Sequence, residues 1–317
     1  MMECNIEVSI LMPIYKVEQY LEKALDSIFT QTYKDINYVF VDDCSPDASL
    51  QVLLSMISRY RIDTNRYTII NHAHNEGVAA SRADCIANAK GDYILFVDSD
   101  DWIEKDAVEE MVAATKGGTI DIVGCDYMKD FLSGKTTYHR ENYAETCRDN
   151  LYRCLNYDIA TVLWKLLIRR SLFDNFHISP INIGEDYIMS IKLFYYASSF
   201  SILRKAFYHY VQYNQNRLSF QLLCSINDHI KCVNEVERFF RDNKMYDGVV
   251  EHQLLLRKFN IKSNFILNRK LFNPDVFINI FPESKGIWKE MNYSKKERFE
   301  FWLAEHNFLL LLNLLKK

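Results

Sequence analysis

Residues 7–43 read "EVSILMPIYKVEQYLEKALDSIFTQTYKDINYVFVDD", and this stretch decides the fold. An apolar run at 7–14 gives way to a segment near 17–30 in which Tyr20, Leu21, Ala24, Leu25, Ile28 and Phe29 recur at helical spacing. A second apolar run, 36–41, then ends on two carboxylates, Asp42 and Asp43. Strand, helix with one apolar face, strand is a βαβ unit, whose strands lie parallel. The pattern continues: it predicts strands at 67–71 and 92–97 and helices near 47–60 and 77–89, with Gly91 as the stop after the third helix.

The polar residues fall at the carboxyl ends of these strands. Pro13 and Tyr15 follow the first, Asp42 and Asp43 the second, Asn71 to Asn75 the third, and "DSDD", 98–101, the fourth. Open α/β sheets bind ligands in the crevice outside those ends, so the four clusters should converge on one site. Three carboxylates within four positions repel and desolvate badly unless a cation or a proton sits among them. Neither G-x-G-x-x-G after the first strand nor G-x-x-x-x-G-K-[ST] occurs, which leaves a divalent cation on carboxylates as the means of holding phosphates. Asp98 and Asp100 are therefore expected to bind Mn2+ or Mg2+ together with a diphosphate. Asp101 is expected to cap a helix, with Glu104 as its capping-box partner.

The 317 residues, 49% of them apolar, suffice for a globular core, and a net charge of −4 argues against nucleic acid as a partner. Eight cysteines show no C-x-x-C pair and read as reduced thiols. Cys44 has no evident base nearby in sequence and is read as a small loop or core thiol. "HAH", 72–74, lacks a third ligand at zinc spacing and is read as loop polarity. Glu3 and Glu7 stand where a signal peptide would be basic, and the greasiest run, "FLLLLNLL" at 308–315, is too short to span a bilayer. The reading is a cytoplasmic chain. Beyond about 215 the pattern is helical, with Ile226, Ile230, Val233, Val236, Phe239 and Phe240 on one stripe and further helices at 249–269 and 296–316. The greasy end and its two lysines suggest peripheral contact with the inner face of a membrane.

"VSILMPIYKVEQYLEKALDSIFTQTYKDINYVFVDDCSPD" (8–47), "NEGVAASRADCIANAKGDYILFVDSDDW" (75–102), "WKLLIRRSLF" (164–173) and "GEDYIMSIKLF" (184–194) together resemble the family-two glycosyltransferases of GT-A type. The resemblance implies an α/β fold, a Rossmann-like, mostly parallel sheet flanked by helices. It implies a catalytic domain over 1–215, with a nucleotide-binding half to about 130 and an acceptor half from about 131; the helical pattern beyond it marks a separate region over 216–317. It also implies metal-dependent transfer with inversion from a UDP-sugar to a hydroxyl of a saccharide or lipid-linked saccharide, in the synthesis of a cell-surface polysaccharide or glycolipid. Carried over by position, Pro13, Tyr15 and Glu18 border the nucleoside, Asp43 bonds the uracil while Asp42 shapes the loop, and Gly77 and Arg82 close around base and ribose. Asp98 faces the ribose, Ser99 belongs to the same cofactor-binding set, and Asp100, with Asp98, binds the metal. Glu185 and Asp186 fall at the first turn of a helix, where its dipole favours carboxylates. The family pattern makes Asp186 the base and places Glu185, Trp164 and Lys165 near the acceptor or donor sugar. "FYHYVQYNQNRLS", 207–219, resembles a segment that closes over the diphosphate, with His209 and Arg217 as its candidates. Two alternatives stand beside this reading. A sugar-nucleotide pyrophosphorylase lacks its glycine-rich, Arg-containing loop here, and an inactive nucleotide-sugar-binding relative would bind UDP without turnover.

Overall fold

In the computed structural model, which describes residues 6–214 and 226–316, the chain forms two compact units. The first takes in residues up to 151 and from 159 onward, and the second takes in 152–158 and the residues from 226; the boundary expected at 215 lies outside the described residues. The first unit opens as the βαβ pattern predicts, with β1 (Val8–Ile14), α1 (Glu18–Phe29), β2 (Ile36–Asp42), α2 (Ser49–Tyr60), β3 (Tyr67–Asn71), α3 (Val78–Ala87) and β4 (Tyr93–Phe96). It continues through β5 (Trp102–Ile103), α4 (Ala107–Ala113), β6 (Ile122–Asp130), β7 (Thr136–His139), α5 (Cys147–Leu155), whose last turn belongs to the second unit, β8 (Leu166–Arg169), α6 (Glu185–Tyr196) and β9 (Phe200–Val211).

The strands form one sheet in the order β3-β2-β1-β4-β8-β6-β9-β5, with β7 beside β6. The three pairings outward from β4 to β3 are parallel, while β8 runs antiparallel between β4 and β6, and β9 returns parallel to β6. All seven residues of β2 are buried, as expected of a central strand covered on both faces. Helix α1 turns Leu21, Ala24, Leu25 and Ile28 into the core shared with Ile10, Met12 and Phe40.

Register is what aligns the polar ends. Ile14 pairs with Asp42, and Asp42 with Asn71, so the residues that follow these strands emerge side by side. The backbone N–H of Asp43 donates to the Ile14 carbonyl at 2.9 Å, and that of His72 donates to the Asp42 carbonyl at 2.9 Å.

Gly91 does a different job from the helix stop expected of it. α3 has already ended at Ala87. A Cβ on Gly91 would lie 2.7 Å from both the Glu7 carbonyl oxygen and the Ser9 nitrogen, so only glycine lets the chain enter β4 against β1.

The second unit is α7 (Ile226–Asp242), α8 (Gly248–Leu267), α9 (Pro274–Asn279), α10 (Lys295–Glu305) and α11 (Leu309–Lys316). Phe259, Phe277, Trp288, Phe301 and Leu312 form its centre, with Phe259 and Phe301 edge to face at 5.0 Å. The single helix expected over 296–316 is two, because Asn307 adopts a left-handed φ of 61° and ends α10. α11 leaves Leu310, Leu311, Leu314 and Leu315 exposed. Among the described residues no helix is long and apolar enough to cross a membrane.

Gly91→Ala is expected to cost about 1–3 kcal/mol, because its opponents are backbone atoms that cannot rotate away. Gly248→Ala, at the open start of α8 with nothing within 4 Å, should stay within about 0.5 kcal/mol of wild type. Urea unfolding of both variants checks the contrast.

Candidate active site

Three carboxylates crowd the turn after β4, and the structure separates their roles. Asp101 is 1% exposed; its Oδ2 accepts from the Tyr208 hydroxyl at 2.9 Å and its Oδ1 from the Val211 N–H at 2.8 Å. The Tyr208 oxygen in turn accepts from the Asp98 N–H at 3.1 Å. One buried phenol thus ties the first and last acids of the turn to β9, and Trp164 stacks on its ring at 4.1 Å. This corrects the expected capping box. Residues after Asp101 form β5, and the next helix begins at Ala107, so Asp101 anchors a distant strand instead of capping a neighbouring helix. Asp98 and Asp100 are only partly buried, and Asp100 Oδ2 accepts from Asn214 at 2.8 Å.

Arg82, on α3, meets this turn from the side. It is 3% exposed, and its Nη2 donates to Asp98 Oδ1 at 3.3 Å while Nη1 donates to both Glu185 and Asp186 at the start of α6. Its Nε has no hydrogen-bond partner among the described residues. One guanidinium faces three carboxylates, so the cluster carries excess negative charge if all are ionised. Burial, the largest influence, raises the Asp186 carboxyl well above its usual range; Arg82 opposes this, and the charges of Glu185 and Asp98 add to the rise. Glu185 is raised as well, again chiefly by burial. The charges of Asp186, Glu185 and Asp98 hold Arg82 firmly protonated against the opposing effect of burial.

A second cluster lies at the ends of β2 and β3. Asp43 Oδ1 accepts from the Glu76 N–H at 2.7 Å and contacts His72 Nδ1 at 2.7 Å, while Oδ2 accepts from the Gly77 N–H at 2.8 Å. Its neighbour Asp42 accepts from the Ser45 N–H at 3.3 Å, and its buried Oδ1 has no hydrogen-bond partner among the described residues. Gly77 has φ 94°, and a Cβ there would fall 2.3 Å from the Asn182 side chain, which accepts from the Ala79 N–H at 3.1 Å. The segment before α6 therefore seats directly on the start of α3. Tyr15 is 45% exposed, and Pro13 precedes it at the end of β1. Glu18 is committed to α2, accepting from the Ala48 N–H at 2.8 Å.

The expected residues do not all gather. Arg82, Asp98, Glu185 and Asp186 meet directly, with Ser99 and Asp100 in the same turn, and Gly77 sits beside Asp43. Trp164 and Lys165 are buried: Trp164 packs under the turn through Tyr208, and the Lys165 ammonium donates to Glu141 at 2.5 Å. His209 stacks on Trp102 at 3.5 Å between Asp130 and Glu104. Arg217 lies outside the described residues. Cys44 is exposed, in a left-handed turn with φ 58°. Tyr208, Asn182, Asn214 and His72 are neighbours of the site that sequence reasoning did not name; Tyr208 and Asn214 lie in the 207–219 segment and His72 in "HAH", whereas Asn182 carried no signal.

Among the described residues no group of three or more His, Cys, Asp or Glu is arranged to hold a metal. Two partly exposed carboxylates, Asp98 and Asp100, nonetheless match the usual Mg2+ or Mn2+ arrangement of one or two protein carboxylates completed by substrate phosphates and water.

A model of the family described as glycosyl transferase family 2 matches residues 9–208. The chain belongs to glycosyl transferase family 2. Among curated members, "Putative glycosyltransferase EpsH" of Bacillus subtilis (strain 168) is 32% identical over 212 residues, covering 64% of this chain and 60% of that protein. "Poly(ribitol-phosphate) beta-glucosyltransferase" of Bacillus spizizenii is 37% identical over 119 residues, 37% of this chain and 18% of that one. The chain thus spans less than two thirds of either relative's length. Among solved structures, S. aureus TarS 1-349 in complex with UDP-GlcNAc aligns with a TM-score of 0.59 and 18% identity, covering 96% of this chain and 92% of that one. The mannosyltransferase PcManGT from Pyrobaculum calidifontis, in complex with GDP-Man and Mn2+, aligns at 0.55 and 14%, covering 98% and 86%. At those identities the likeness shows the fold, a mixed, mostly parallel sheet flanked by helices and followed by C-terminal helices.

Tyr208→Phe removes the hydroxyl that donates to Asp101 Oδ2 and accepts from the Asp98 N–H. The expected loss is about 1–3 kcal/mol of stability, read as a lower urea midpoint, with weaker nucleotide binding in the protein that remains folded.

Proposed function

We propose that this chain is an inverting glycosyltransferase that moves a sugar from a UDP-sugar to an acceptor hydroxyl, with Asp186 as general base. The observation that carries the reading is the Arg82 cluster. A single guanidinium holds the Asp98 turn at the carboxyl end of β4 against two carboxylates at the start of α6. Nucleotide-side and base-side groups therefore share one small volume.

Inversion calls for a base on the face opposite the leaving group, and a carboxylate whose proton affinity has been raised by burial accepts a hydroxyl proton better than an ordinary one. The nucleoside is assigned to the ends of β1 to β3, where Tyr15 offers an exposed ring and Asp43 fixes the loop through Gly77. Asp98 and Asp100 would hold Mg2+ or Mn2+, which when bound supplies neutralisation of the charge that grows on the departing UDP. The neighbours described as complexes with UDP-GlcNAc and with GDP-Man and Mn2+ support a nucleotide-sugar donor and a divalent cation. The relative described as a poly(ribitol-phosphate) glucosyltransferase supports a cell-surface polymer or glycolipid as acceptor. We also assign the exposed leucines of α11 to peripheral contact with the membrane face where lipid-linked acceptors lie, the region 216–317 serving as the helical partner of a catalytic domain over 1–215.

UDP release from a panel of UDP-sugars with Mn2+ and an acceptor extract tests the reading. Asp186→Asn should lose about 10²–10⁴-fold in rate, and Asp100→Ala should lose its response to metal. Release that neither change affects would contradict these roles, and UDP binding without turnover of any donor would favour a binding protein.

The pH profile has a definite sign. Asp186 must be ionised to act, so kcat/KM should fall as pH drops through its raised pKa, above the ordinary carboxylate range of about 4. Glu185→Gln removes a neighbouring negative charge and should move that acidic limb to lower pH.

A further inference from the structure

His72 contacts a carboxylate at each ring nitrogen: Nδ1 lies 2.7 Å from Asp43 Oδ1, and Nε2 lies 2.9 Å from Asp84 Oδ2. The imidazole is 5% exposed, Asp43 4% and Asp84 47%. An ionised carboxylate only accepts hydrogen bonds, so both ring nitrogens must donate, and only the imidazolium donates from both. A neutral ring would turn a lone pair toward one of the two acids.

The position of this cation gives it a task. On one side it balances Asp43, a buried carboxylate whose other two hydrogen bonds come from the neutral backbone amides of Glu76 and Gly77. Those amides are the last turn of the loop before α3, and Gly77 is where Asn182 seats. On the other side it holds Asp84, two residues beyond Arg82 on α3. His72 thus joins the end of β2, the 72–77 loop and the helix that carries Arg82. Neither ring nitrogen is left to meet a substrate, which excludes proton transfer to the acceptor.

We propose that His72 is a positioning residue for the donor nucleotide, acting as the counter-charge that pairs with Asp43 and keeps the 72–77 loop closed on α3. This rests on the assignment of the nucleoside to that loop. The charges facing the ring are Asp43 from the end of β2, Asp84 from α3 and Glu76 from its own loop. Burial pulls the imidazole pKa down, but the hydrogen bonds to Asp43 and Asp84 and the charges of Asp43 and Glu76 together hold it above the ordinary histidine value. The sign follows. A group whose folded pKa is raised contributes fully below its unfolded value, about 6.5, and its contribution fades as pH rises through the folded value. Nucleotide affinity should therefore decline on the alkaline side.

The test is calorimetric binding of UDP to the full chain with Mn2+ present, from pH 6 to 8.5, for wild type, Asp84→Asn and His72→Gln, each checked for folding by circular dichroism. Ionisations of UDP are common to all three proteins. Wild type should lose affinity as pH rises. Asp84→Asn keeps an acceptor for Nε2–H but removes a charge, so its decline should begin at lower pH with affinity near wild type at pH 6. His72→Gln should bind roughly tenfold more weakly at pH 6, the scale of one lost hydrogen bond to a charged group, and show no decline specific to wild type. Asp84 is half exposed, so its variant remains informative if His72→Gln does not fold. Asp84→Asn with the wild-type pH profile would overturn the proposal, as would a folded His72→Gln with wild-type affinity. Wild type that binds no UDP at any pH would instead reject the nucleotide assignment on which it stands.

Discussion

A buried guanidinium with three carboxylates around it is the constraint on which the first unit depends. Arg82 leaves water almost completely, and a buried cation is tolerable only when its donors are answered by acceptors. Asp98, Glu185 and Asp186 provide them from two elements more than eighty residues apart in sequence. The converse also holds: without Arg82 those acids could not lie together ionised, because burial already drives two of them toward protonation and the guanidinium is the main influence opposing it. The start of α6 and the turn after β4 are thus held in each other's company by electrostatics that neither could sustain alone.

Packing carries that requirement outward. α3 must stand where Arg82 reaches both groups, and three contacts set it there: Asn182 on the side-chain-free Gly77, the two amides given to Asp43, and His72 bridging to Asp84. From the other side Tyr208 fixes the turn itself, with Trp164 stacked beneath. Tyr208, Trp164 and Asp43 are buried, while Asn182 lies at the surface. The atoms left toward solvent, on Tyr15, Asp98 and Asp100, are the ones assigned to the donor.

The sequence made the parallel half of the sheet readable because each central strand is buried on both faces and each helix has one apolar side, so periodicity alone placed β1 to β4 and α1 to α3 within about three residues. The second half was much less legible. β6, β8 and β9 are defined by mixed pairings across long separations, β5 is two residues long, and no local period marks them. The same distance explains the site's misread residues. Asp101 looks like a helix cap locally, and its true partners, Tyr208 and Val211, come from β9. Lys165 looks available until Glu141 is folded against it. Asp98 was read from its carboxylate cluster at a strand end, and Asp186 and Arg82 through a resemblance that spans several motifs, whereas the clamp that joins them appears only in three dimensions. Asn307 is the exception, a local left-handed signal that was present and passed over.

The most direct measurement is the kinetic and binding behaviour of Arg82→Lys, with folding verified by circular dichroism. An ammonium keeps the charge but cannot fork to three carboxylates. If Arg82 joins the nucleotide turn to the base, UDP affinity and kcat should fall together. A folded Arg82→Lys protein with wild-type UDP affinity and wild-type kcat would contradict the account.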